Sequence, residues 1–144
     1  MSESVAVDTN VLVYRYDPSH PRKQARAVEI LRRGAEEGTL VVPFQALVEF
    51  VSATTRPRRS GLPPLLPPRD AWREVADFAD IFEVLYADAD VLPAAISLAA
   101  VHGLSWYDAT LLAHTQCRGV PRLLSEDFED GRRYGGVTVV NPFA

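Results

Sequence analysis

Five acidic residues in this sequence stand where they could do chemistry: Asp8 in Val7-Asp8-Thr9-Asn10, Glu49 in Leu47-Val48-Glu49-Phe50, Asp108 in Ser105-Trp106-Tyr107-Asp108, and the pair Glu126 and Asp127 after Leu123-Leu124-Ser125. Each also has an ordinary structural explanation. Asp8, at a strand-to-helix corner, is a natural cap for a segment starting near Asn10. Glu49 has apolar neighbours on both sides, and a partly buried carboxylate is costly. It needs either an arginine partner such as Arg56 or a cation shared with other acids. Asp108 follows Ser105 by three positions, the spacing of a capping box. A helix N-terminus also keeps a carboxylate ionised, so capping and metal binding are compatible there. Carboxylates brought together repel one another, and a fold that gathers three or four retains them when a hard cation takes them as oxygen ligands. That chemistry points to Mg²⁺, with Mn²⁺ as a substitute. His20, His102 and His114 have no spacing to one another or to Cys117 that suggests zinc.

The elements that must carry these acids are readable from hydrophobic periodicity. Residues 5–7 form an apolar run that stops at Asp8, and apolar character resumes over residues 11–16, so a first strand ends in a polar corner. Ala27, Val28, Ile30, Leu31 and Ala35 recur at helical spacing and predict a helix over residues 20–38, stopped by Gly38. Residues 40–42 predict a buried strand closed by Pro43, and residues 44–55 a helix whose apolar face carries Leu47, Val48, Phe50 and Val51 around Glu49. Residues 57–68 hold five prolines and one glycine, too many ring-locked backbones for a helix interior or a central strand, and read as a surface loop. Asp70 reads as the cap of a helix ending near residue 82. A strand over 84–86 follows, then an alanine-rich helix over 89–101 closed by Gly103, and a helix over 106–117 ended by Gly119. Residues 123–124 and 137–140 read as short strands. Strands alternating with helices argue for an α/β domain whose mainly parallel sheet of four to five strands is covered on both faces. In such a sheet ligands bind beyond the carboxyl ends of the strands, where Asp8 and the Ser125-Glu126-Asp127 cluster both fall.

A chain of 144 residues with 47% hydrophobic content can fill one core, so residues 1–144 are expected to form a single domain. The one cysteine, Cys117, excludes an intramolecular disulfide and any multi-cysteine zinc site, and suits a reducing compartment such as the cytoplasm. No apolar run approaches the roughly 20 residues that span a bilayer. Met1-Ser2-Glu3-Ser4 has no basic segment followed by an apolar one, so neither export signal nor membrane anchor is expected. With a net charge of -4, a broad electrostatic hold on nucleic acid is not expected and any such contact must be local. Lys23 is the one lysine among 15 basic residues, and Arg56, Arg58 and Arg59 cluster beside the proline-rich stretch, a bias read here as genomic composition.

Taken together, these residues resemble the PIN-domain nucleases, and within them the VapC-type ribonuclease toxins of prokaryotic toxin–antitoxin pairs. Residues 5–14 resemble the family's opening strand with its first acid, Leu47-Val48-Glu49-Phe50 the helix bearing the second, and Ser105-Trp106-Tyr107-Asp108-Ala109 the segment bearing the third. Leu123-Leu124-Ser125-Glu126-Asp127-Phe128 is similar to the closing motif with its fourth acid, and Val139-Val140-Asn141-Pro142-Phe143 to the ending of the group. Each motif is weak alone; their order and spacing make the combination specific. The resemblance implies a PIN-like three-layer sandwich, a homodimer, a cognate antitoxin protein and hydrolysis of RNA to 5'-phosphate and 3'-hydroxyl ends. It implies that Asp8, Glu49, Asp108 and Asp127 hold one or two Mg²⁺ ions, with Asn10 and Ser125 orienting ligands or waters behind them. The loop over residues 57–68 looks longer than in compact versions of the fold.

Two other readings compete. Haloacid-dehalogenase-like phosphatases also place an aspartate after the first strand, as a nucleophile. They usually want a second acid two residues on, where this chain has Asn10, and a strand-end lysine, whereas Lys23 lies in the first long helix. A PIN-like scaffold that binds RNA or a partner without cutting is the non-enzymatic alternative, against which the presence of all four acids weighs.

Overall fold

Val5, Ala6 and Val7 are apolar on both sides of the chain, as a strand buried on both faces must be, and they form β1 (Val5–Val7) near the middle of the sheet. The computed structural model describes residues 3–144, so Met1 and Ser2, on which the expectation of no export signal partly rests, lie outside the described residues. After β1 come α1 (Thr9–Tyr14), α2 (Pro21–Glu37), β2 (Leu40–Pro43), α3 (Phe44–Thr55), α4 (Pro68–Ile81) and β3 (Glu83–Leu85). The chain finishes with α5 (Val91–His102), α6 (Trp106–Cys117), β4 (Arg122–Leu124), β5 (Arg133–Tyr134) and β6 (Val137–Val140).

The sheet runs β3-β2-β1-β4-β6-β5, parallel except where β5 pairs antiparallel with β6. Successive strand residues point to opposite faces. Ala6, Val41 and Leu123 therefore meet Ala95, Leu98 and Leu112 of α5 and α6, while Val7 and Val42 meet Ile30, Leu31, Phe50 and Phe78 of α2, α3 and α4. Two separate cores with a sheet between them make the expected three-layer sandwich. Among the described residues no helix is long and apolar enough to cross a membrane.

Two local expectations change. The sheet has six strands rather than four to five, because β5 is a two-residue edge strand, too short to show alternation, formed by a hairpin that turns through Gly135 at φ 59°. Asp70 does not cap α4: the cap position is Pro67, Pro68 supplies the first helical residue with its pre-set φ, and Asp70 sits in the first turn. The apolar residues after the first polar corner form the helix that a cap at Asp8 implied, α1, six residues long and beginning directly behind Asp8. The proline-rich stretch is a surface loop as expected. Its backbone is returned to the core where the Leu66 N–H donates to the Thr54 carbonyl at 2.9 Å.

Candidate active site

The strand order places the site. β1 connects onward to β2 and β3 on one side, while β4 returns on its other side, so a crevice opens beyond the carboxyl ends of β1 and β4. Parallel pairing of Val7 with Leu124 makes Asp8 and Ser125 the next residues out on adjacent strands. Both are buried, and the Ser125 hydroxyl donates to Asp8 Oδ2 at 2.6 Å. Asp8 also caps α1, its Oδ1 accepting from the Thr9 N–H at 2.6 Å. The capping role and a place in the crevice thus coincide.

The other acids arrive on separate elements tied to this corner. The Thr9 hydroxyl donates to Glu49 Oε2 at 2.7 Å, joining α1 to α3. Glu49 is half-buried and its second oxygen faces the Gln45 amide at 3.4 Å; Arg56, the partner the sequence suggested, is not the one used. Gln45 in turn donates to the Tyr107 carbonyl at 2.9 Å and accepts from the Thr110 hydroxyl at 2.8 Å, which fixes α6 against α3 and brings Asp108 toward Glu49. Ser105 caps α6 as its spacing to Asp108 suggested, its hydroxyl accepting from the Asp108 N–H at 3.2 Å. Asp127 sits in the loop after β4, held by its own N–H donating to Ser125 Oγ at 3.1 Å and by the Asn10 amide donating to Oδ2 at 3.1 Å. Glu126 turns the other way, to the lone lysine, Lys23, at 2.8 Å and to the Tyr14 hydroxyl.

The charges of these groups reach one another. Burial pushes Asp8 up to about 7, the hydrogen bonds from Ser125 and Thr9 oppose that rise, and the charges of Asp127 and Glu49 add to it. Asp108 is raised as well, first by burial and then by the same two charges, against the opposing Ser105 hydroxyl. Asn10 Oδ1 is buried without a hydrogen-bond partner. All-oxygen donors, two acids whose proton affinity is raised by burial and then by neighbouring negative charge, and an orphaned acceptor beside them fit a hard divalent cation. Among the described residues no three His, Cys, Asp or Glu side chains converge closely enough to hold an ion by themselves, so the acids share one edge of the sheet without forming a closed set of ligands. Thr9 and Gln45 were not singled out in the sequence. Gln45 lies four residues before Glu49, a spacing that puts both on one face of α3 and offers a signal for it.

The raised Asp8 value sets a pH dependence for the metal-free protein. A carboxyl that binds its proton more tightly folded than unfolded favours the fold when protonated. Its contribution is therefore fully present below the unfolded value of 3.8 and is lost as the pH rises toward about 7. In EDTA the melting temperature should fall across that window in the wild type more than in Asp8→Asn, as read by calorimetry at fixed ionic strength; equal slopes would show that Asp8 is not the group responsible.

Comparison with known proteins agrees with this architecture. The PIN domain family model matches residues 5–134. Comparison with curated protein sequences finds no match. Among solved structures, the chain is similar to a toxin–antitoxin complex from Klebsiella pneumoniae at 17% identity and TM-score 0.69, over 96% of this chain and 98% of that one. It is similar to DNA-bound VapBC from Salmonella typhimurium at 17% identity and TM-score 0.66, over 96% and 97%. A sarcin-ricin loop cleaving VapC toxin from Mycobacterium tuberculosis aligns at 20% identity and TM-score 0.59, over 86% and 90%. At these identities the structural likeness speaks for the fold. With the family model covering nearly the whole chain and the same sheet beneath it, the chain belongs to the PIN-domain family.

Proposed function

We propose that this chain, acting as one PIN domain over residues 1–144, is a Mg²⁺-dependent endoribonuclease and the VapC-type toxin of a cytoplasmic toxin–antitoxin pair. The observation that carries the proposal is the hydrogen-bonded frame that brings Asp8, Glu49 and Asp127 from separate segments to one edge of the sheet through Thr9, Ser125 and Asn10, with the segment bearing Asp108 braced against it by Gln45. These four would be the metal ligands, and Mn²⁺ would substitute for Mg²⁺. When bound, the cation supplies the charge that polarises a scissile phosphodiester and lowers the pKa of water. Ser125 holds Asp8 and Asp127 in fixed relation through its hydroxyl, Asn10 orients Asp127, and Thr9 orients Glu49.

Support for an antitoxin partner comes from the similar folds, which are solved as toxin–antitoxin complexes. A homodimer is supported by an apolar groove between α3 and α4 where Val48, Trp72 and Tyr86 are left exposed side by side. The phosphatase reading asks Asp8 to be a free nucleophile with a lysine beside it. Both Asp8 oxygens are engaged and Lys23 is bonded to Glu126 and Tyr14.

Purified protein incubated with total cellular RNA should cleave it in Mg²⁺ or Mn²⁺ and not in EDTA, and Mn²⁺ should raise the melting temperature. A protein stabilised by Mn²⁺ that leaves RNA intact would favour the non-cleaving scaffold. A phosphorylated Asp8 trapped with a phosphomonoester would favour the phosphatase.

A further inference from the structure

We propose that the groove between α3 and α6 seats one unpaired nucleobase of the RNA next to the cut phosphate, with Tyr107 as its stacking platform and His114 as its hydrogen-bond acceptor. This rests on the ribonuclease reading and adds the substrate-recognising residues to it. The groove has a volume of about 760 Å³, and Thr9 and Glu49 line one part of it, so it opens directly from the acids. That volume is within the usual range of small-ligand sites, about 300–1,000 Å³.

Its walls carry groups that the acid site does not use. Tyr107, beside Asp108 in the first turn of α6, is 67% exposed, while its backbone carbonyl is the part that braces Gln45. The ring is therefore free to stack, and base-on-aromatic stacking is how proteins hold unpaired bases irrespective of sequence. His114 is 8% exposed and lines the same groove. Its Nδ1 lies 2.8 Å from the Thr110 carbonyl, which can only accept, so Nδ1 donates there and Nε2 is the ring nitrogen left for a ligand. A buried histidine with one nitrogen tied to its own helix and the other uncommitted at a groove wall suits the N–H edge of a base. Arg56, exposed at the far end of α3, completes the lining and offers a cation for a flanking phosphate in a chain whose net charge is -4. Base pairs in a duplex hide the edge that His114 would read, so the occupant is single-stranded.

The test uses Tyr107→Ala and His114→Phe, the second keeping ring volume while removing the acceptor. Affinity is read in EDTA with a fluorescein-labelled single-stranded RNA dodecamer of mixed sequence, and cleavage of total RNA in Mg²⁺ is read by sequencing the new ends. Tyr107→Ala should weaken dodecamer binding about fivefold or more. His114→Phe, with an unchanged melting temperature, should flatten a base preference that the wild type shows at one position beside the cut. If the wild type cuts RNA while Tyr107→Ala binds and cuts equally well, the inference is overturned and the ribonuclease reading stands. If the wild type neither binds nor cuts RNA, both fall. If Tyr107→Ala instead changes the sedimenting species, the groove is an interface between copies and the nucleobase assignment is wrong.

Discussion

Asp8→Asn is expected to reduce metal-dependent RNA cleavage by at least about a hundredfold while leaving the protein folded and, in EDTA at neutral pH or above, more stable than the wild type. The two effects have one cause. Asp8 is buried, both of its oxygens are already engaged, and the charges of Asp127 and Glu49 oppose its ionisation. The amide keeps the size of the side chain and can still accept from the Thr9 N–H, but it carries no charge to repel its neighbours or to bind a cation. A stabilisation on the order of 1 kcal/mol corresponds to a rise of about 2–4 °C for a domain near this size. At pH 5 that advantage should shrink, since the wild-type carboxyl is then mostly protonated. Calorimetry with and without EDTA, paired with single-turnover cleavage, reads both effects. Cleavage within tenfold of wild type would remove Asp8 from the metal site, and an unfolded mutant would show that the fold itself needs the carboxylate charge.

Asp127→Asn should cost about tenfold or more in Mn²⁺ affinity and in cleavage, whereas Glu126→Gln should stay within about threefold. The two acids are adjacent in sequence but point apart. Asp127 accepts from Asn10 and is anchored through Ser125 to Asp8, so its charge acts on both Asp8 and Asp108. Glu126 is bonded to Tyr14 and Lys23, with the Lys23 ammonium 4.9 Å from the Tyr14 ring centre. Losing that partly exposed ion pair should lower stability by no more than about 1 kcal/mol. Calorimetric Mn²⁺ titration of both variants decides the matter, and a larger loss for Glu126→Gln than for Asp127→Asn would reverse the assignment of the fourth ligand.

The difference between these two acids also marks how far the sequence alone reaches. The strand before Asp8, the helix cap at Ser105, the helix stops at Gly38 and Gly103 and the proline-rich surface loop were all legible, because each depends on dihedral preference or hydrophobic period within a few residues. The alternation of strands and helices over the whole chain fixed the layered fold class in the same way. Where an element is only two residues long, or two start signals stand side by side, local reading failed. The edge strand Arg133–Tyr134 shows no alternation, and at the start of α4 the proline pair, rather than Asp70, sets the first turn.

What the tertiary structure decided is which partner each acid meets. Thr9 and Glu49 are 40 residues apart, Ser125 and Asp8 are 117 apart, and Glu126 finds Lys23 across 103 residues. Nothing within any one segment encodes those partners. They are set by strand order, which lays β4 beside β1, and by the two apolar cores, which fix α3 and α6 at the same edge of the sheet. The sequence alone determined that carboxylates stand at the ends of elements. Only the packing of layers, driven by burial that is indifferent to the acids themselves, determined that Asp127 turns toward Asp8 and Glu126 turns away.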